Sequence, residues 1–146
     1  MHPYPHLYSA SASATPAGPV PLRGENLPQI DTAPPPEFGG PGGVWSPETL
    51  LTGALADCFL FTFRAVARAS ALEWEQLDCK VDATLEKVDG VTRFTAYRTH
   101  ARLVIAAGVD SAKAHRALER SEQTCLIANS LNGARTLDIE IVEPPG

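Results

Sequence analysis

The hydrophobic pattern of residues 46–66 predicts a long helix that is apolar on most of its circumference. Apolar side chains recur there at spacings of three and four residues, as on one face of a helix. Between the first turn and Arg64, the one charged residue is Asp57. This pattern is typical of a central helix or an interface helix, and it places Cys58 on the apolar face. That face consists of Leu50, Leu51, Ala54, Leu55, Cys58, Phe59, Thr62, Ala65 and Val66.

Three adjacent residues mark the start of this helix. Ser46 is a favourable N-cap, because its hydroxyl can accept a hydrogen bond from an unpaired amide of the first turn. Pro47 follows at a position where a missing amide hydrogen costs little. Glu48 then lies near the positive end of the helix dipole, which favours a carboxylate. Interaction with that dipole is the ordinary role of a glutamate in this position.

Two long segments with alternating polarity follow, residues 77–88 and residues 91–105. Each places apolar side chains on one face, and Asp89–Gly90 between them is a strong hairpin turn signal. The pattern predicts a half-buried antiparallel hairpin. Cys79 falls on its inner face, where we interpret it as a core residue.

The remainder of the chain predicts a second helical region and a last strand. Asp110 can cap a helix over residues 111–121, a second helical piece covers residues 124–131, and residues 136–142 alternate as a strand. The resulting order is strands, helix, hairpin, helix and strand. Runs of strands with helices grouped on one side indicate an α+β fold.

Residues 1–43 form an arm rich in proline and glycine, ahead of a core of residues 44–146. Alternating pieces at residues 6–14, 20–24 and 28–32 favour short edge strands, which tolerate proline. Disorder is the competing interpretation for parts of this arm. A glycine-rich loop then leads into the helix.

Composition narrows the class of protein. The 146 residues, 44% hydrophobic and 20% charged, suit one domain over residues 1–146. A net charge of −5 argues against a nucleic-acid partner. The first residues lack the pattern of a signal peptide, and no apolar stretch approaches the roughly 18 residues of a membrane span. We therefore expect a cytoplasmic protein with no membrane partner.

The candidate chemistry lies in the thiols. The histidines are scattered and the cysteines have no metal-knuckle spacing, so a metal site is unsupported. A thiol reacts as its thiolate, which needs a nearby cation or hydrogen-bond donor. Glu48 alone would raise a thiol pKa, and ten helical residues place it about 15 Å from Cys58. Glu48 is compatible with activation of the Cys58 thiol only if its carboxylate orients an arginine toward the sulfur. Taken singly, Cys58 and Cys125 are each more typical of small buried hydrophobes, and from the residues alone a redox thiol pair is the minority interpretation.

A resemblance favours the reactive interpretation. Ser46-Pro-Glu48, the apolar helix through Ala56-Asp-Cys58-Phe59, and Cys125-Leu-Ile-Ala-Asn-Ser-Leu131 together resemble the OsmC/Ohr family of thiol-dependent peroxidases over about residues 39–142. The resemblance implies an OsmC-like α+β fold, with antiparallel sheets wrapped around a long central helix in an intertwined homodimer. It also implies an antioxidant role in the oxidative stress response.

The resemblance assigns roles to individual residues. Cys58 corresponds to the peroxidatic cysteine, Cys125 to the resolving cysteine, and Glu48 to the glutamate that holds an activating arginine. The implied substrate is an organic hydroperoxide, with hydrogen peroxide as a further possibility. The implied reductant is an external dithiol, and no cofactor is required because sulfur is the redox centre.

The chain departs from the family pattern at two points. Arg23 is the one arginine before the helix, and it fills the activating role only if the turn is rebuilt; otherwise it is a solvated strand residue. Leu126 stands where many relatives carry proline. If no arginine reaches Cys58, the alternative is a non-enzymatic dimer that binds a small apolar ligand or senses oxidants.

Overall fold

The computed structural model describes residues 1–144, and the chain divides into two compact units, residues 1–51 and the residues from 52 onward. The first unit holds a three-stranded antiparallel sheet of β1 (Ser11–Ala12), β2 (Val20–Arg23) and β3 (Ile30–Thr32). A short 3-10 helix follows at Pro36–Phe38. The short strands expected in the arm are therefore confirmed. That residues 1–146 form a single domain stays a prediction.

Helix α1 (Pro47–Ala69) is the long apolar helix that the sequence predicts. The Ser46 hydroxyl accepts a hydrogen bond from the Thr49 amide at 3.1 Å, which confirms the N-cap. The expectation that no apolar stretch approaches membrane-spanning length was wrong, because α1 is long and apolar enough to cross a membrane by length and composition. Four of its residues, Leu55, Phe59, Phe63 and Ala67, are nevertheless buried, as in a core helix.

The second unit contains a sheet in the order β4 (Trp74–Val88), β5 (Val91–Ile105) and β6 (Ala134–Val142). Strands β4 and β5 form the expected antiparallel hairpin, and Asp89 and Gly90 both have positive φ, as a tight hairpin turn requires. Strand β6 runs parallel to β5. The prediction of purely antiparallel sheets is corrected here to a mixed sheet.

The parallel pairing follows from the connection between β5 and β6. A parallel neighbour requires a crossover rather than a tight turn. That crossover is α2 (Ser111–Thr124) followed by α3 (Leu126–Asn129), and the Asp110 carboxylate caps α2 by accepting from the Ala112 amide at 3.0 Å. The expected second helix and helical piece are thus present.

The two faces of the β4–β5–β6 sheet differ in polarity. One face packs against α1 and α2 in a core built from Phe59, Phe63, Ala67, Leu77, Ala101, Leu103, Ile105, Ala114 and Leu118. The opposite face carries charged cross-strand neighbours such as Asp78, Arg102 and Glu140. The crossover therefore lies over the apolar face, on the same side as α1.

Candidate functional site

The structure brings Cys58 and Cys125 into direct contact. All three cysteines of the chain are free thiols, and the Cys58 and Cys125 side chains are hydrogen-bonded to each other. Cys58 lies near the middle of α1, whereas Cys125 lies between α2 and α3. The sequence-predicted thiol pair is therefore an adjacent pair in the folded chain.

Local backbone geometry explains how Cys125 is presented. Helix α2 ends at Thr124, and Cys125 has an extended conformation (φ −62°, ψ 110°) before α3 begins at Leu126. The Cys125 carbonyl accepts a hydrogen bond from the Asn129 amide at 2.9 Å, which closes the single turn of α3. The extended conformation of Cys125 thus changes the direction of the chain, so that the first amides of α3 point in a different direction from those of α2.

A small apolar cluster surrounds this junction. Cys125 is 2% exposed and packs with Leu55, Tyr97 and Ala128. Gly133 at the entry to β6 is required by this packing, because a Cβ there would overlap the Tyr97 ring. The Cys125 thiol is therefore held in a buried and closely packed position.

The Cys58 sulfur accepts several hydrogen bonds. Burial raises the pKa of Cys58, but donation from the Ile127 amide, the Cys125 thiol, the Thr62 hydroxyl and the Leu126 amide outweighs burial and lowers the pKa from its ordinary value. The Thr62 oxygen lies 3.8 Å from the sulfur. Cys58 is thus the thiol of the pair that ionises first.

Cys125 has the opposite character. Burial is the main cause that raises the pKa of Cys125 to about 11, while donation from the Ala128 amide lowers it. The hydrogen bond that the Cys125 thiol donates to Cys58 and the negative charge of Glu122 raise it further. The pair therefore consists of one activated sulfur and one thiol that keeps its proton, an arrangement suited to attack followed by resolution.

The OsmC-like protein family model matches residues 40–140 of this chain. The chain belongs to the OsmC-like family. This confirms the family suggested by the motifs around the two thiols. Cys58 and Cys125 both lie within the matched residues 40–140, so the thiol pair belongs to the family domain.

Individual relatives and solved structures resemble the chain in sequence or in fold. It is 29% identical over 109 residues to the uncharacterized protein YmaD of Bacillus subtilis, which covers 73% of each protein. An OsmC-like protein of unknown function from Vibrio cholerae superposes with a TM-score of 0.84 at 16% identity, over 92% of this chain and 99% of that one. An organic hydroperoxide resistance protein from Legionella pneumophila gives a TM-score of 0.73 at 23% identity, over 93% and 96%. The OsmC-like fold is thereby established.

The two other predicted site residues of this OsmC-like chain belong to the first unit. Glu48 lies in the first turn of α1 and is partly buried. Arg23 ends β2, and its guanidinium donates to Gln29 Oε1 at 3.1 Å and to Ser13 Oγ at 3.2 Å. The roles of Arg23 and Glu48 in activating Cys58 stay predictions.

Sequence reasoning missed the donors that surround the Cys58 sulfur. Thr62 was recognisable, because a residue four positions along a helix faces the same side. The amides of Leu126 and Ile127 were not, since their approach to Cys58 depends on how the crossover packs on α1. Leu126 retains an amide hydrogen, which a proline at this position would lack, and that amide is one of the donors.

Proposed function

We propose that this protein is a thiol-dependent peroxidase that reduces organic hydroperoxides through Cys58 and Cys125. The observation that carries the proposal is the contact between two thiols with opposite pKa shifts. Solved structures of the same fold include proteins named for organic hydroperoxide resistance, which supports the substrate class. Hydrogen peroxide is a second substrate in this proposal.

The proposed cycle uses each thiol once. The Cys58 thiolate attacks one peroxide oxygen, the O–O bond breaks, and the leaving alkoxide takes a proton to become an alcohol. Cys58 is then a sulfenic acid. The Cys125 sulfur attacks the Cys58 sulfur, the S–O bond breaks, and the oxygen leaves as water with the proton of the Cys125 thiol. An external dithiol reduces the disulfide, which requires a reducing compartment such as the cytoplasm.

A homodimer is part of the proposal. Several large apolar side chains are exposed in the single chain, including Phe61 on α1 at 59% and Leu126 beside the thiol pair at 66%. Exposed apolar area of this kind is typical of an interface. Measurement of mass in solution by light scattering tests the dimer, and a monomer at micromolar concentration would contradict it.

The contacts of Arg23 favour one alternative. Its side chain is exposed and bonds to polar groups of Ser13 and Gln29. If Cys58 has no activating cation, a single oxidation of the pair, as in an oxidant sensor, replaces catalytic turnover. The peroxidase and the oxidant sensor both form the Cys58–Cys125 disulfide. They differ in the rate at which a dithiol reduces that disulfide.

Peroxide consumption in the presence of excess dithiothreitol tests the proposal. The wild type is compared with Cys58→Ser, Cys125→Ser and Cys79→Ser, using tert-butyl hydroperoxide and hydrogen peroxide in parallel. We expect both pair variants to lose catalytic turnover and Cys79→Ser to retain it. Turnover that survives in Cys58→Ser would overturn the assignment of the nucleophile. Disulfide formation without turnover in the wild type would favour the sensor.

A further inference from the structure

Arg135, the second residue of β6, bonds to the chain on both sides of Cys125. Its Nε donates to the Glu122 carboxylate at 2.8 Å, and a terminal nitrogen donates to the Glu122 carbonyl. The other terminal nitrogen donates to Asn129 Oδ1 at 2.9 Å. Glu122 precedes Cys125 by three residues in the last turn of α2, whereas Asn129 is the last residue of α3. We call these three side chains the Arg135 clamp.

The Arg135 clamp differs from the other ion pairs of the sheet in its burial. The side chains of Arg135 and Glu122 are 28% and 17% exposed, whereas those of Arg98 and Asp138 are 60% and 44% exposed. A partly desolvated arginine pair contributes more to local order than an exposed pair. The planar guanidinium also fixes the directions of all its hydrogen bonds, which an ammonium group does not.

A further hydrogen bond connects the two ends of the clamped segment. The Asn129 amide group donates from Nδ2 to the Gln123 carbonyl at 3.1 Å. Residues 122–129 are thus tied at both ends to β6 and to each other. Between the ties lie Cys125 and the two amides that donate to Cys58.

From these contacts we propose that Arg135 is a positioning residue that holds Cys125 for attack on the Cys58 sulfenic acid. The inference rests on the proposed peroxidase function. In that step the Cys125 sulfur bonds to the Cys58 sulfur and water leaves. Formation of an S–S bond of about 2 Å demands close placement of both Cβ atoms, so a small displacement of the junction slows the step strongly.

Single-turnover oxidation of the reduced protein tests the clamp. One equivalent of tert-butyl hydroperoxide is added, dimedone traps the sulfenic acid at set times, and mass spectrometry follows sulfenic acid and disulfide separately. We expect Arg135→Gln and Arg135→Lys to slow disulfide formation about tenfold or more and to accumulate dimedone-trapped Cys58. Arg135→Lys keeps the positive charge but loses the planar guanidinium with its several N–H donors. If disulfide formation is as slow in Arg135→Lys as in Arg135→Gln, the geometry of the hydrogen bonds and not the charge is the cause.

Arg98→Gln serves as the control for a general loss of stability, and Glu122→Gln is a second, independent change to the clamp. Arg98→Gln removes an arginine–carboxylate pair on the opposite face of the same sheet and should leave disulfide formation unchanged. Glu122→Gln weakens the same clamp, so combined with Arg135→Gln it should add less than its separate effect. Wild-type rates in Arg135→Lys and Glu122→Gln would overturn the inference even if Arg135→Gln fails to fold.

Diamide separates this inference from the peroxidase proposal, because it oxidises a thiol pair to a disulfide without a sulfenic acid. If the wild type fails to react with hydroperoxide, the peroxidase proposal fails. If diamide then forms the Cys58–Cys125 disulfide as fast in Arg135→Gln as in the wild type, the positioning role of Arg135 fails as well. Slower disulfide formation in the variant supports it.

Discussion

Cys79 and Cys58 belong to the same unit and each packs against a buried apolar cluster, Cys79 against the main core and Cys58 against the small cluster around Cys125, yet their surroundings differ in one decisive respect. Cys79 lies on the inner face of β4 opposite Ala101, where burial raises its pKa to about 12, with smaller contributions from the charges of Glu122 and Cys125. Cys58 is also desolvated but accepts hydrogen bonds from amides, a thiol and a hydroxyl. Burial alone makes a thiol inert, whereas burial combined with donors makes it a nucleophile.

The largest expected effect is a difference in alkylation rate between these two thiols. A thiol with a pKa of about 12 is ionised to an extent on the order of 10⁻⁵ at neutral pH. Iodoacetamide should therefore modify Cys58 at least about a hundredfold faster than Cys79. Peptide mass spectrometry of briefly treated native protein measures both rates.

The pH dependence of the same reaction sharpens the test. Because the Cys58 pKa is lowered, its alkylation rate should fall only below that pKa and level off above it. The rates of Cys79 and Cys125 should still rise in the alkaline range. Equal rates for all three thiols in the native protein would contradict the comparison.

A smaller effect is expected from Leu126→Pro, which deletes one of the backbone donors to Cys58. The site tolerates proline, because Leu126 is the first residue of α3, its side chain is 66% exposed and Cys125 before it is already extended. Loss of this hydrogen bond should raise the Cys58 pKa and slow alkylation of Cys58 near neutral pH. Leu126→Ala keeps the amide and is the matched control. An identical pKa in both variants would remove the Leu126 amide from the list of donors.

A similarly small effect is expected from Thr62→Val, because the Thr62 oxygen lies 3.8 Å from the Cys58 sulfur. The Cys58 pKa should rise slightly, because a weak hydrogen bond to the sulfur is lost. Thr62→Ser keeps the hydroxyl and should leave the pKa near that of the wild type. A fall in the pKa of Thr62→Val would show that the hydroxyl does not donate to the thiolate.

The sequence predicted most of the elements because their signals are local. The Ser46 cap, the period of α1, the Asp89–Gly90 turn and the Asp110 cap each depend on neighbouring residues, and the structure contains them all. Both thiols of the pair were also identified, although from family motifs rather than from periodicity. Local patterns are thus sufficient for elements and for candidate residues.

The features that local patterns do not specify are the ones that depend on the crossover. The parallel pairing of β6, the donor amides at Cys58 and the contacts of Arg135 all require the crossover to be packed in place. The membrane-length character of α1 was missed for a different reason: isolated polar residues within the helix broke each apolar run but left its average apolar. The periodicity of hydrophobic residues does not predict contacts between residues that are distant in the sequence.

The parallel pairing of β5 with β6 also orders events during folding. Ala96 meets Ala134 only after the intervening crossover has closed, and such distant pairings form late because the entropy of loop closure opposes them. The amides of Leu126 and Ile127 that donate to Cys58 belong to the same crossover, so they reach the sulfur only when the crossover is in place. The lowered pKa of Cys58 is therefore a property of the finished fold and not of helix α1 alone.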